Sequence, residues 1–512
     1  MTIHIEKHIV AFAYQGWGHT RPLVQLSARL VKMRAVYVTL FTTNAFFERV
    51  QEELARGFES GEEAYAHRVR VVAVGEASML SSEAVDEGFK RAYEKLLAGE
   101  QVQCAKTGTA HAAIVPPQAV VIDFFAVNPV ATIKKASGDS VKVYAWFSGM
   151  TTAAFMHLAP EDHGGPGNIR IKAEELVKKT GRPFAEVVFD MLFTPRGRIC
   201  AFPGLPPMSD YELYPQDFDI PPAIIADIFP SMYELFQTCD GLFLTSPAPY
   251  ESEAVEKVRA WLSETGRPVY VCGPLLPRGS EAESNETKQS NKGAEIMEFL
   301  ETTLKTSGEQ SLLYISFGSI FWPLKSPEKL WGFLDVVMEL NIPFLLSHAS
   351  PFADTLPDEI VNKVKAYGKG FLSQWSPQQS ILEHPATGWF VTHCGHNSVV
   401  ESITAGVPMI AWPFNADQPL NAVRISEVLE VGYELIEVRT GHGTHPLYRN
   451  GRKPVATMDA LKAEARDVLT KAFGEDGAKK RERVLALARE FNRQWEEGGT
   501  SYSDVSAFLD SL

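Results

Sequence analysis

Two long stretches of this chain repeat one rhythm: a short run of β-branched or aromatic residues ends in Gly, Ser or Pro, and a stretch with helical apolar spacing follows. Runs of that kind suit strands buried on both faces, and their alternation with amphipathic segments predicts βαβ units around parallel sheets. The first series begins with Ile9, Val10, Ala11, Phe12 and Ala13, turns at Gly16 and Gly18, and enters a helix with Leu23, Leu26 and Leu30 on its apolar side. Further strands are expected at 36–41, 69–74, 119–122 and 141–147. The second series opens at 312–316, turns at Gly318, and continues at 344–347, 370–373, 389–392 and 409–412. The expected class is α/β, with two Rossmann-like domains whose parallel sheets face a central cleft; 512 residues are enough for two cores.

Residues 277–292 separate the series. They are rich in Ser, Glu, Asn and Lys and poor in large apolar side chains, the composition of a linker. The expected division is an N-terminal domain over 1–276, the linker over 277–292, a C-terminal domain over 293–477 and a helical segment over 478–512. Val484, Leu485, Leu487 and Ala488 form the apolar stripe of that last segment.

Charge and cysteine content narrow the function. A formal charge of −14 without a basic stripe repels phosphate backbones, so a nucleic-acid partner is not expected. A single anionic ligand would need a local site of backbone N–H groups and a helix N-terminus. Cys104, Cys200, Cys239, Cys272 and Cys394 form no CxxC or CxxH pair, so neither a zinc site nor a disulfide framework is expected. The chain lacks a secretory-signal pattern and a run of about 20 apolar residues, which together favour the cytosol and a chain without a transmembrane segment.

The densest chemistry lies in 375–418. Thr392, His393, Cys394, Gly395, His396, Asn397 and Ser398 follow an apolar strand and lead into a helix. A small-residue loop feeding a helix start favours an anion through its N–H groups and the macrodipole. Asn397 and Ser398 add side-chain donors, and His393 can donate to a phosphate oxygen and stabilise charge on a departing diphosphate. Read singly, these residues could equally be helix caps and satisfied core polar groups. In the first series, His19 stands in Gly16-Trp17-Gly18-His19-Thr20-Arg21-Pro22 just after strand one, at the strand end where ligands of open α/β sheets bind. Histidine suits proton transfer near neutrality, and Asp123 closes the strand 119–122.

The stretch resembles the nucleotide-binding signature of the UDP-glycosyltransferases that act on small molecules. Trp375, Pro377, Gln378, Leu382, His384, Phe390, His393, Gly395, Asn397, Ser398, Glu401, Pro408, Pro413, Asp417 and Gln418 all stand in register with it. The resemblance implies the GT-B fold. It also implies that Trp375 stacks on uracil, Gln378 bonds base or ribose, Glu401 takes the ribose hydroxyls, and Asp417 and Gln418 bind the donor sugar. Gly18 and Ser319, the latter in the Phe317-Gly318-Ser319 turn, would complete the donor site. The GHxxP pattern at His19 resembles the family's general-base motif, and Asp123 matches the residue that orients that base. Pro203-Gly204-Leu205-Pro206-Pro207 and Val271-Cys272-Gly273-Pro274-Leu275 follow the family in order. One position departs from it: His396 stands where plant members carry Trp, near the donor sugar.

The implied reaction is a single inverting displacement that moves a sugar, glucose by the Gln418 tendency, from a UDP-sugar to a hydroxyl of a small lipophilic acceptor. Neither a metal nor a cofactor is expected, and the chain is expected to act as a monomer. Trp17, Phe124, Phe125, Phe147 and Met150 are the candidate acceptor pocket. A nucleotide-sugar sensor without turnover is the rival reading. A dinucleotide enzyme is disfavoured, because the turn after strand one places Arg21 where GxGxxG needs its last glycine.

Overall fold

The computed structural model describes residues 7–14, 16–76, 82–217, 220–277, 286, 292–350, 353 and 356–512. Most of the expected linker at 277–292 lies outside the described residues. The chain divides into two compact units, one comprising Met1–Met191, Pro221–Ala282 and Gln494–Leu512, the other Leu192–Ile220 and Glu283–Arg493.

The first unit is built on strands β1 (Lys7–Phe12), β2 (Val36–Thr42), β3 (Val69–Ala73), β4 (Ala119–Asp123), β5 (Lys142–Phe147), β6 (Gly241–Leu244) and β7 (Val269–Val271). All pair in parallel in the spatial order β7-β6-β5-β4-β1-β2-β3, so the direction of winding reverses between β1 and β4. Every residue of β4 is buried, as a strand covered on both faces must be. One face packs on helix α1 (Trp17–Met33), whose Leu23, Leu26 and Leu30 meet Ile9, Ala11 and Val121.

The chain's last helix, Thr500–Ser511, supplies Val505, Phe508 and Leu509 to the same core. Phe508 lies edge-on to Tyr144 at 5.0 Å and Phe243 at 4.9 Å between ring centroids. Asp504 accepts the backbone N–H of Val271 on the edge strand at 2.7 Å, occupying a donor that would otherwise invite another strand.

In the second unit β8 (Leu312–Ser316), β9 (Phe344–Ser347), β10 (Gly370–Ser373), β11 (Thr387–Thr392), β12 (Met409–Ala411) and β13 (Gly432–Glu434) form a parallel sheet in the order β10-β9-β8-β11-β12-β13. The topology repeats that of the first unit, with reversal between β8 and β11. Its core joins Leu313, Ile315, Val391 and Ile410 to the apolar sides of helices Pro327–Glu339 and Met458–Ala472.

Both unit boundaries differ from the sequence expectation. Leu192–Ile220 belongs to the second unit because Glu212 from that stretch pairs with the buried Arg449 at 2.6 Å. Arg449 also meets Glu427 at 2.5 Å and Glu434 at 2.6 Å. Deleting one partner of such a buried network leaves an uncompensated charge, at a cost of about 3–5 kcal/mol. Helix Glu475–Asn492 also stays with the second unit, so only the residues from Gln494 onward join the first. Among the described residues no helix is long and apolar enough to cross a membrane.

Candidate functional site

In the first unit the reversal point holds a histidine and a carboxylate. His19 is the third residue of α1, and its N–H bonds the Gly16 carbonyl at 2.9 Å to tighten the entry turn. Asp123, the last residue of β4, is fully buried and accepts from three donors. Phe125 N–H reaches Oδ1 at 2.9 Å and Tyr14 N–H reaches Oδ2 at 3.3 Å. His19 Nδ1 stands 3.1 Å from Oδ1 and 2.9 Å from Oδ2.

A carboxylate can only accept, so this contact requires the proton on Nδ1 and leaves the lone pair on Nε2. The imidazole stacks against Phe124 at 5.2 Å and Phe125 at 4.8 Å between centroids, while Trp146 Nε1 donates to the His19 carbonyl at 3.1 Å. With its side chain 22% exposed over a fully buried partner, His19 is the accessible end of the pair. Backbone, carboxylate and two rings hold its orientation.

The candidate acceptor residues divide. Phe125 is half-buried beside His19, whereas Phe124, Phe147 and Met150 are buried as part of the core. Trp17 is half-buried under the Arg49 guanidinium, 3.8 Å from its ring, and edge-on to Phe46.

In the second unit the reversal point holds a different constellation. His393 follows β11, and its ring is wedged between two glycines. A Cβ on Gly395 would lie 2.5 Å from His393 Nε2, and one on Gly318, whose φ is +74°, would lie 2.7 Å from Cε1. At neither position does a side chain fit without moving the His393 ring, and Gly318 also occupies the left-handed region that favours glycine. Burial lowers the His393 pKa to about 3, so the ring is neutral, and its Nδ1 has no hydrogen-bond partner among the described residues.

Helix α3 (His396–Thr404) starts at Gly395 with no side-chain cap, so the positive end of a nine-residue helix opens at this loop. Cys394 takes φ +65°, which for a residue with a side chain costs about 1–3 kcal/mol and clusters at functional sites.

Next to the loop, Gln378, the first residue of α2 (Gln378–Glu383), donates to Ser398 Oγ at 3.2 Å and to Glu401 Oε2 at 2.5 Å. Tyr314 on β8 donates to Gln378 Oε1 at 3.4 Å. Trp375 follows β10 and is 36% exposed. Helix α4 (Gln418–Val423) begins after Asp417; Gln418 Oε1 accepts Phe414 N–H at 2.9 Å and Asn415 N–H at 3.3 Å. Ser319, Asn397 and Asp417 are half-buried around the same loops, and His396 is buried with a pKa lowered by burial to about 3.

Sequence reasoning missed Tyr314 and Asn421, whose Nδ2 donates to the Cys394 carbonyl. Tyr314 is invisible to pattern because it lies inside an apolar strand. Asn421 could have been found as the residue one helical turn past Gln418. Gly18, in the first unit, sits in the first turn of α1. Among the described residues, no group of three or more His, Cys, Asp or Glu could hold a metal.

Residues 226–436 match the family model described as "UDP-glucoronosyl and UDP-glucosyl transferase". UDP-glycosyltransferase eriJ of Hericium erinaceus is 28% identical, over 99% of this chain and 98% of its own length. Mogroside I-E synthase of Siraitia grosvenorii is 23% identical over 99% and 98%. The solved structure of Phytolacca americana UGT2 with UDP-2fluoro-glucose and pterostilbene superposes with a TM-score of 0.66 at 19% identity, covering all of both chains.

Proposed function

The chain belongs to the UDP-glycosyltransferase family, and from that premise we propose that it transfers glucose from UDP-glucose, with inversion and without a metal, to a hydroxyl of a small lipophilic acceptor. The observation that carries the catalytic part is the His19–Asp123 pair, at 2.9 Å with the carboxylate fully buried. In this reading His19 Nε2 takes the proton of the acceptor O–H as the oxygen attacks the anomeric carbon. The bond from that carbon to the β-phosphate oxygen breaks, and its electron pair leaves with UDP. Asp123 stabilises the imidazolium that forms, as the Asp of a hydrolase triad does. One displacement turns an α-linked donor into a β-glycoside.

The C-terminal unit holds the donor in this reading. Trp375 stacks on uracil, and Glu401, steadied by Gln378, accepts the ribose hydroxyls. The start of α3 takes the diphosphate, with His393 as a neutral donor. The carbonyl of Gln418 is committed to the backbone of Phe414 and Asn415, so its NH2 is the end that reaches a sugar hydroxyl. The apolar rings beside His19 favour phenolic or terpenoid acceptors, in keeping with a relative named for mogroside synthesis and a neighbour solved with pterostilbene.

Purified protein incubated with UDP-glucose and a panel of such acceptors is expected to yield a mass gain of one hexose, with a β linkage by proton coupling at the anomeric position. Absence of product across the panel despite tight UDP binding would favour the sensor reading.

A further inference from the structure

One buried amide ties two loops of the donor site together. Asn421, on α4, is fully buried, and its Nδ2 donates to the Cys394 carbonyl at 3.0 Å. Cys394 is the residue held at φ +65°, and its own N–H donates to Thr392 Oγ1 at 3.1 Å. Both peptide groups flanking the strained residue are therefore anchored. The peptide that Asn421 grips joins Cys394 to Gly395; because that unit is planar, fixing its carbonyl also fixes the opposed Gly395 N–H. This is the peptide that leads into Gly395, the N-cap of α3.

The amide is also directed toward the helix start. Its interaction with the His396 ring favours the imidazolium but is outweighed by burial, which keeps the ring neutral with a single N–H. Asn421 stands one turn past Gln418, whose carbonyl in turn organises the 414–415 backbone. A short chain of contacts thus runs from the 414–418 turn through one side chain to residues 394–396.

We propose that Asn421 is a positioning residue, whose amide locks the loop before α3 to the helix carrying Gln418 so that the phosphate-facing and sugar-facing parts of the donor site hold one geometry. The proposal rests on the donor-site reading above. It assigns Asn421 no contact with substrate. It also separates the diphosphate end of the site, which depends on this amide, from the base end around Trp375 and Gln378, which does not.

The test compares UDP with uridine. Asn421→Leu, close in volume, removes both amide contacts and is expected to weaken UDP binding about tenfold by calorimetry while leaving uridine affinity, read by ligand-detected NMR, unchanged. The KM for UDP-glucose should rise and that for the acceptor should not. Undiminished UDP affinity in the variant overturns the proposal, and so does a parallel loss of UDP and uridine, which marks general loosening. If Asn421→Leu does not fold, Asn421→Ser carries the same comparison, and it must weaken UDP while sparing uridine. Failure of the wild type to bind UDP at all would refute the donor-site reading instead.

Discussion

Each unit gathers its polar chemistry where the first and fourth strands of a parallel sheet part company, yet the two points are furnished oppositely. After β1 and β4 stand His19 and Asp123, an imidazole bonded to a buried carboxylate and partly open. After β8 and β11 stand Gly318 and His393, an imidazole with no carboxylate partner among the described residues, pressed between glycines and kept neutral by burial. The topology creates a place beyond the strand ends in both. What differs is the partner: at the first point a carboxylate faces the ring nitrogen, whereas at the second desolvation keeps the ring neutral.

The largest effect that would break this contrast is His19→Ala. With the proposed base removed, kcat/KM is expected to fall about a thousandfold while UDP affinity, measured by calorimetry, stays put. A variant that kept a tenth of its activity would remove His19 from the mechanism. Next comes Asp123→Asn, which retains shape but lets the imidazole take either tautomer and gives no charge to its cation. A loss of about a hundredfold in kcat with little change in KM is expected in steady-state assays, and equal activity would mean that the carboxylate only supports the fold.

Smaller effects sharpen the comparison at the glycines. Gly395→Ala drives a methyl to 2.5 Å from His393 Nε2, whereas Gly16→Ala meets His19 Cδ2 at 3.1 Å. The first is expected to weaken UDP binding about tenfold and the second to leave it unaltered; similar titration curves for both would show that the His393 ring yields freely. The smallest effect is in stability against pH. Burial lowers the pKa of His393 to about 3 from 6.5, so the unfolded chain binds more protons between these values. Its contribution to stability is complete above pH 6.5 and is lost as pH falls toward 3. The decline in Tm from pH 7 to pH 5 should be shallower in His393→Phe than in the wild type, and parallel profiles would mean that the ring finds water or a partner in solution.

Much of this was legible beforehand. Strands at 312–316 and 344–347 were readable to the residue, since a fully buried strand carries a continuous apolar run, and so was the half-buried edge strand at 370–373. Gly241–Leu244, Val269–Val271 and Gly432–Glu434 were not among the expected strands. Phe147 and Met150, expected beside the acceptor, are buried, and apolar composition alone did not tell how far.

The sequence by itself determined the kind of architecture and the residue types available for chemistry, because strand runs, helix periodicity and glycine turns act over a few neighbours. Only the tertiary structure decided which of those residues meet. Asp123 reaches His19 across 104 positions, Asn421 reaches the Cys394 carbonyl across 27, and Glu212 crosses to Arg449. Such pairings depend on strand order and on which polar group burial leaves in need of a partner, and neither is a local property of the chain.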